Sequence, residues 1–197
     1  MARPRRDARS TGLRHVQKRR TRLGVARVTC ATLACLLLMQ ALSFSQDVTE
    51  SSLKAAFIYN FVLFTDWPAG LVPPAAPLVL CVLGDDAVEE ALRRTTRDRV
   101  HGGHGMTVTR GAPAGSPRGC QVLYVSGMTT TQAEQLVAGL RDLPVLTISD
   151  IEGFTQSGGI AQFFLEQGRL RFAVQNVSAQ RAHLQISSRL LALARPR

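Results

Sequence analysis

The sequence predicts one α/β domain with a mainly parallel sheet, helices on both faces and an antiparallel hairpin added late. Three observations carry this. Apolar runs of strand length, Pro77–Gly84, Cys120–Ser126 and Pro144–Ser149, alternate with helix-length segments, the pattern of strands buried on both faces of a parallel sheet. Each helix-length segment opens on a capping residue type. Near the end, Ile160–Glu166 and Arg169–Gln175 flank the dipeptide Gln167-Gly168, a two-residue hairpin connection. Together they describe Rossmann-like or flavodoxin-like layers with an extra hairpin.

Taken in order, Thr49 is a candidate N-cap, and Leu53, Ala56, Phe57, Asn60, Phe61 and Phe64 recur at helical spacing. That helix is predicted to stop at Trp67-Pro68, because the residue before a proline avoids helical angles. A Pro/Ala connector over 71–77 leads to the first core strand, and Asp85-Asp86 then cap a helix from Ala87 to about Thr96. His101–Gly105 is a glycine-rich turn before a short strand, Met106–Arg110. After a loop over 111–119 and the strand at Cys120, Thr129–Thr131 cap a helix reaching about Arg141. The strand ending at Ser149 precedes a turn-rich stretch, Asp150–Gly159, and then the hairpin. A last helix is predicted from about Ser178 to Ala194.

The formal charge of +10 suggests nucleic acid or an anionic surface as partner, but its location removes that reading. Residues 1–45 hold ten of the 24 basic residues and only one of the 14 acidic ones, leaving 14 against 13 in 46–197. The first segment reads as a secretory leader: a cationic stretch through Arg27, an apolar run Val28–Met39, and small residues up to Ser45. The run is shorter than the roughly 20 residues of a membrane span. Cys30 and Cys35 lie inside it and read as small hydrophobes. The expected organisation is therefore a leader over 1–45 and a single exported domain over 46–197. The domain keeps Cys81 and Cys120. In an oxidising compartment they are an expected disulfide, with two buried thiols as the alternative.

No catalytic constellation stands out. His101 and His104 are spaced for two metal ligands, yet no further ligand lies nearby, so no metal is expected. Gly102–Gly105 lacks the strand-to-helix context of a phosphate loop. Gly84-Asp85-Asp86 sits where doubly wound sheets bind ligands, but its carboxylates are explained by helix capping. Ser126 lacks a local histidine, and the paired acids Asp150 and Glu152 read as a solvated turn. Asn176-Val177-Ser178 has the pattern of a glycosylation sequon, with Ser178 read as a helix cap. Arg181, His183 and Arg189 read as a solvated helix face, and Phe154 as an aromatic in an exposed turn or tucked beneath it.

The run Leu53–Pro68 resembles the opening helix of the YfiR family, matching its pattern at Lys54, Ala55, Ala56, Phe57, Tyr59, Asn60, Phe61, Trp67 and Pro68. Leu80–Asp85, with Gly84, resembles its first core strand, and Gly119–Val125 its cysteine-bearing strand. Val145–Asp150, Gly153, Gly159, Arg171-Phe172 and Asn176 continue the likeness, and Ile186–Ala194, with Ser188 and Leu191, resembles its closing helix. It covers about residues 50–195. The resemblance implies a periplasmic regulator rather than an enzyme, without cofactor. Such a protein restrains an inner-membrane diguanylate cyclase of the YfiN type by binding its periplasmic sensor part, which lowers cyclic di-GMP and biofilm formation. It further implies a homodimer and a Cys81–Cys120 disulfide. Trp67, Phe154 and Arg189 are partner-contact candidates by residue type and placement, Trp67 being equally readable as core. The alternative is a periplasmic small-molecule-binding sensor module using the carboxyl edge of the sheet.

Overall fold

A computed structural model describes residues 50–111 and 116–195, all within the compact unit Val48–Arg197. The leader expected over 1–45 lies outside the described residues. The protein is mixed α/β, built on a seven-stranded, mostly parallel sheet.

Helix α1 spans 50–63 and buries Ala55, Ile58, Phe61 and Val62, an i, i+3, i+6, i+7 stripe. The expected stripe was one position out of phase: Leu53 is 43% exposed. The helix also stops earlier than Trp67-Pro68. Phe64 N still donates to Asn60 O (3.1 Å), after which the chain extends into β1 (Thr65–Asp66). Next come β2 (Leu78–Leu83), α2 (Asp86–Thr96), β3 (Val100–His101), β4 (His104–Arg110), a 3-10 turn at Pro117–Gly119 and β5 (Val122–Val125). They are followed by α3 (Thr130–Ala138), β6 (Leu146–Ser149), β7 (Ala161–Glu166), β8 (Arg169–Val174), α4 (Asn176–Arg181), β9 (Gln185–Ile186) and α5 (Ser188–Leu191).

The sheet order is β3-β4-β2-β5-β6-β7-β8, with β4, β2, β5, β6 and β7 mutually parallel. The β7–β8 hairpin is antiparallel as expected, its turn residues Gln167 and Gly168 both at positive φ (51° and 71°). A second antiparallel pair, β3–β4, flanks the glycine turn and was not anticipated. Two helix starts follow the capping signals. Asp85 Oδ1 accepts from Val88 N (2.9 Å), and Thr129 with Gln132 forms a capping box. The third helix ends at Ala138 rather than Arg141, with Gly139 at its C-cap.

Alternation along the strands divides the core. Leu80, Val82, Val122, Tyr124, Leu146 and Ile148 pack with residues of α1 and α2. The opposite set, Cys81, Leu123 and Val125, packs with Leu136 of α3 and with Leu140 just beyond it. Phe61 stacks on Phe163 and meets Phe172 edge-on, with centroids 5.8 and 5.0 Å apart.

The predicted closing helix is three elements instead. After α4, His183 takes a left-handed conformation (φ 57°), Leu184 N donates to Ala179 O (2.9 Å) and His183 N to Gln180 O (3.0 Å). This double closure terminates a helix, and histidine is among the non-glycine residues enriched in that region. The chain then extends as β9, antiparallel to β1 with Thr65 opposite Ile186. Ser178 is buried inside α4 rather than capping it; the cap position is Gln175, and Ser187 caps α5.

Cys81 and Cys120 form a disulfide, 5.9 Å between Cα atoms and 39 residues apart in sequence. Gln121 N donates to Val79 O (2.9 Å), so the bridge ties β2 to the chain entering β5. Each cysteine is 1% exposed. Replacing both by alanine should lower unfolding free energy by about 2–4 kcal/mol, as measured by denaturant titration. In native protein purified without reductant neither thiol should label, and labelling should require reduction together with unfolding.

Candidate functional site

Two groups of side chains stand out. The first lies at the carboxyl edge of the parallel strands. Lys54 comes from the first turns of α1, Tyr124 from β5, Ser126 from the residue after it, and Asp150 from the residue after β6. Asp150 Oδ2 accepts from Lys54 Nζ (2.8 Å), Tyr124 OH (2.9 Å) and Ser126 Oγ (3.1 Å). Lys54 also pairs with Glu50 at 3.0 Å and is only 8% exposed. The packing beneath is close. A Cβ on Gly84 would stand 2.0 Å from the Ser126 carbonyl oxygen, which explains glycine at that signature position.

Burial alone would raise the Asp150 pKa. The hydrogen bond and charge of Lys54, with the bonds from Ser126 and Tyr124, outweigh it and hold the carboxyl below its ordinary value. Burial would likewise lower Lys54, but its bonds to Asp150 and Glu50 win and its pKa is raised. Tyr124 is pushed up by burial first and then by the Asp150 charge, so its phenol stays protonated and donating. Ser126 is thus a donor to a carboxylate with no histidine on it, and Asp150 is engaged by a lysine. Its sequence neighbour Glu152 is exposed. Every polar group in this cluster faces another, which describes a clasp better than an acid–base pair.

The second group surrounds Trp67. A cleft of about 770 Å3 is lined by Trp67, Pro68, Asn176, Gln180, His183 and Gln185, among others. It joins signature residues distant in sequence, Trp67 and Pro68 with Asn176, through the β1–β9 ribbon. Trp67 is part-buried and packs against the main core. Arg189 is exposed on α5 and does not line the cleft; Ser188 beside it is exposed, and Leu191 part-buried.

Phe154 lies elsewhere and is 1% exposed, packed with Ala133 and Val137 of α3. Of its two readings the tucked one holds. A Cβ on Gly159 would fall 2.3 Å from its ring, so this signature glycine exists to admit the aromatic. Elsewhere in the signature, Asn60 bonds Ala56 O within α1 (2.9 Å), and Tyr59 lies under Arg99 at 5.7 Å. His104 donates from Nδ1 to Ala76 O (2.7 Å), and no group of three metal-ligating side chains occurs among the described residues. Sequence reasoning missed Tyr124, whose position in an apolar run gave no sign of its hydroxyl partner, and Thr65, which lines a second cleft beside Trp67.

The clasp has a pH signature. A carboxyl with a depressed folded pKa contributes stability that is present above its unfolded value of about 3.9 and lost as pH falls through the folded value. A lysine with a raised folded pKa contributes stability that is complete below about 10.4 and lost as pH rises past the folded value. Lys54→Met, which leaves Asp150 without its cation, should cost about 3 kcal/mol near neutral pH. Asp150→Asn should flatten the acid limb of a stability–pH profile measured by chemical denaturation.

Comparison with curated proteins finds no match. A family model described as YfiR/HmsC-like matches residues 51–195, the stretch that contains the clasp, the disulfide and the Trp67 cleft. On that match the chain belongs to the YfiR/HmsC-like family.

Proposed function

We propose that this chain is a periplasmic regulatory protein that binds the periplasmic sensor part of an inner-membrane signalling protein, a diguanylate cyclase of the YfiN type, and restrains it. Family membership over residues 51–195 carries the reading. Supporting it, no helix among the described residues is long and apolar enough to cross a membrane, and the disulfide suits an oxidising compartment. The expected leader over 1–45 supplies export, with 46–197 as the working domain. Parallel strands in the order β4-β2-β5-β6-β7 also suit flavodoxin-like layers.

Binding a sensor needs a surface and no catalytic group. The 770 Å3 cleft around Trp67 is the surface we assign, since an aromatic wall set among the amides of Asn176, Gln180 and Gln185 can hold a partner segment. Exposed Arg189, beyond β9 in sequence, is a second contact candidate; Phe154 is too buried to be one. A homodimer is compatible with this reading. The small-molecule alternative at the carboxyl edge is less well supported, because Asp150 there is already taken up by Lys54, Tyr124 and Ser126.

Deleting the gene in its own host should raise cellular cyclic di-GMP, and the full chain should restore it. Gln180→Arg, an exposed change in the cleft wall, should fail to restore while the protein accumulates normally in the periplasm. In-cell crosslinking should then recover a cyclase-bearing membrane protein with the unaltered chain and at least about ten-fold less with the variant. Unchanged cyclic di-GMP in the deletion strain would refute the reading.

A further inference from the structure

The polar side chains of the Trp67 cleft converge from two elements. Asp66 and Gln185 stand directly opposite each other in the β1–β9 ribbon, which puts their side chains on one face. Asn176 and Gln180, four residues apart on α4, share a face of that helix. All four line the cleft. Asp66, Gln180 and Gln185 are exposed and Asn176 is half-buried, so a ligand can reach each of them. Their bonding capacity is also unspent. Among the described residues Asp66 is in no ion pair, and the side chains of Asn176, Gln180 and Gln185 make no hydrogen bond.

The charge of the lining selects the occupant. Asp66 is its one carboxylate, and no lysine or arginine lines the cleft among the described residues. Arg181 is exposed beside Gln180 in sequence but is not part of the wall. An acidic group would therefore meet Asp66 with no cation to offset it, whereas a basic one finds its counter-charge. A carboxylate ringed by three amide carbonyls offers acceptors on several sides. A guanidinium matches that set best, since it carries five N–H donors in a planar fork, has no acceptor of its own and pairs with carboxylate through two bonds. A lysine ammonium concentrates three donors at one point and spans fewer of these partners. Trp67 and exposed Pro68 add apolar surface beside Asp66, against which a methylene stem can lie. A volume of about 770 Å3 holds such a side chain together with the backbone that carries it.

We propose that the partner segment seated in this cleft presents an arginine, whose guanidinium pairs with the Asp66 carboxylate and donates to the amide carbonyls around it. The inference rests on the regulatory reading and adds the chemistry by which the partner is recognised.

Trp67 is the chain's single tryptophan, so its fluorescence reports on the cleft. Protein purified from the periplasm should be titrated with N-acetyl-L-argininamide and with N-acetyl-L-citrullinamide, which keeps the shape of arginine and lacks its charge. The arginine compound should change the emission saturably and bind about five-fold more tightly than the citrulline one. In Asp66→Asn that preference should vanish; in Asp66→Glu it should persist. Neither substitution should move the thermal midpoint, because Asp66 is exposed and in no ion pair among the described residues. In cells, Asp66→Asn should lose both the crosslink to the cyclase and the restraint of cyclic di-GMP, while Asp66→Glu keeps both. Three results would each overturn the proposal and leave the regulatory reading standing: equal binding of the two compounds, binding of neither, or full restraint and crosslinking by Asp66→Asn. Unchanged cyclic di-GMP in the deletion strain would instead remove the regulatory reading, and with it the partner that this arginine belongs to.

Discussion

The placement of α1 depends on the pairing of one part-buried carboxylate, that of Asp150. Asp150, just after β6, receives donors at Oδ2 from α1 (Lys54) and from the end of β5 (Tyr124 and Ser126), so three elements share one charge. A carboxylate accepting several bonds in a partly buried site is stable only while they are made. The clasp therefore fixes where α1 begins over the carboxyl edge. Since α1 runs 14 residues over 50–63, it carries that constraint about 20 Å to the far side of the domain. There it delivers Thr65–Trp67 to β9. The clasp thus bears on the clefts without touching them.

The two faces of the sheet are held by different means. On the α1 face the packing is aromatic, with Phe57, Phe61, Phe163, Phe172 and Tyr124 in mutual ring contact. The opposite face has a smaller cluster of Leu123, Val125, Leu140 and Val145 around the disulfide. A covalent tie suits the face with less apolar area to bury, because it removes freedom from the unfolded chain rather than adding contacts. Thr109 Oγ1 lies 3.5 Å from Cys81 Sγ and also donates to Gly111 O. The sulfurs are enclosed by packing, which accounts for the bridge as a structural fastening.

What was legible in the sequence divides along the line between local and non-local causes. The apolar runs around Cys81, Leu123 and Ile148 marked the central strands, and Asp85 and Thr129 marked the helix starts, because those signals act within a few residues. The hairpin turn at Gln167-Gly168 was visible for the same reason. The phase of α1 was not: Leu53 looked like the start of its apolar stripe, but Lys54 is drawn inward by Asp150, 96 residues away. Nor did composition reveal that Gly159 is small to admit Phe154, or that Gly84 abuts Ser126. At the site, Trp67 and Asn176 were individually singled out, yet only the β1–β9 pairing places them on one cleft.

The break in the closing segment shows why that pairing matters. Residues 178–194 carry leucines at helical spacing, and a continuous helix would satisfy their local preferences. The chain instead holds His183 at φ 57°, a conformation that costs a non-glycine residue on the order of 1 kcal/mol. The return comes from tertiary contacts: Leu184 and Leu190 are buried, Ser187 N bonds Phe64 O at 2.9 Å, and β9 gives β1 a partner. Without β9, Thr65–Asp66 would be an unpaired extended segment, and Trp67 would lose one wall of the cleft that His183 itself lines. A strained residue that both ends a helix and borders a cavity is retained where the surrounding structure over-determines it. Here the over-determination runs through β1, back along α1, to the carboxylate of Asp150.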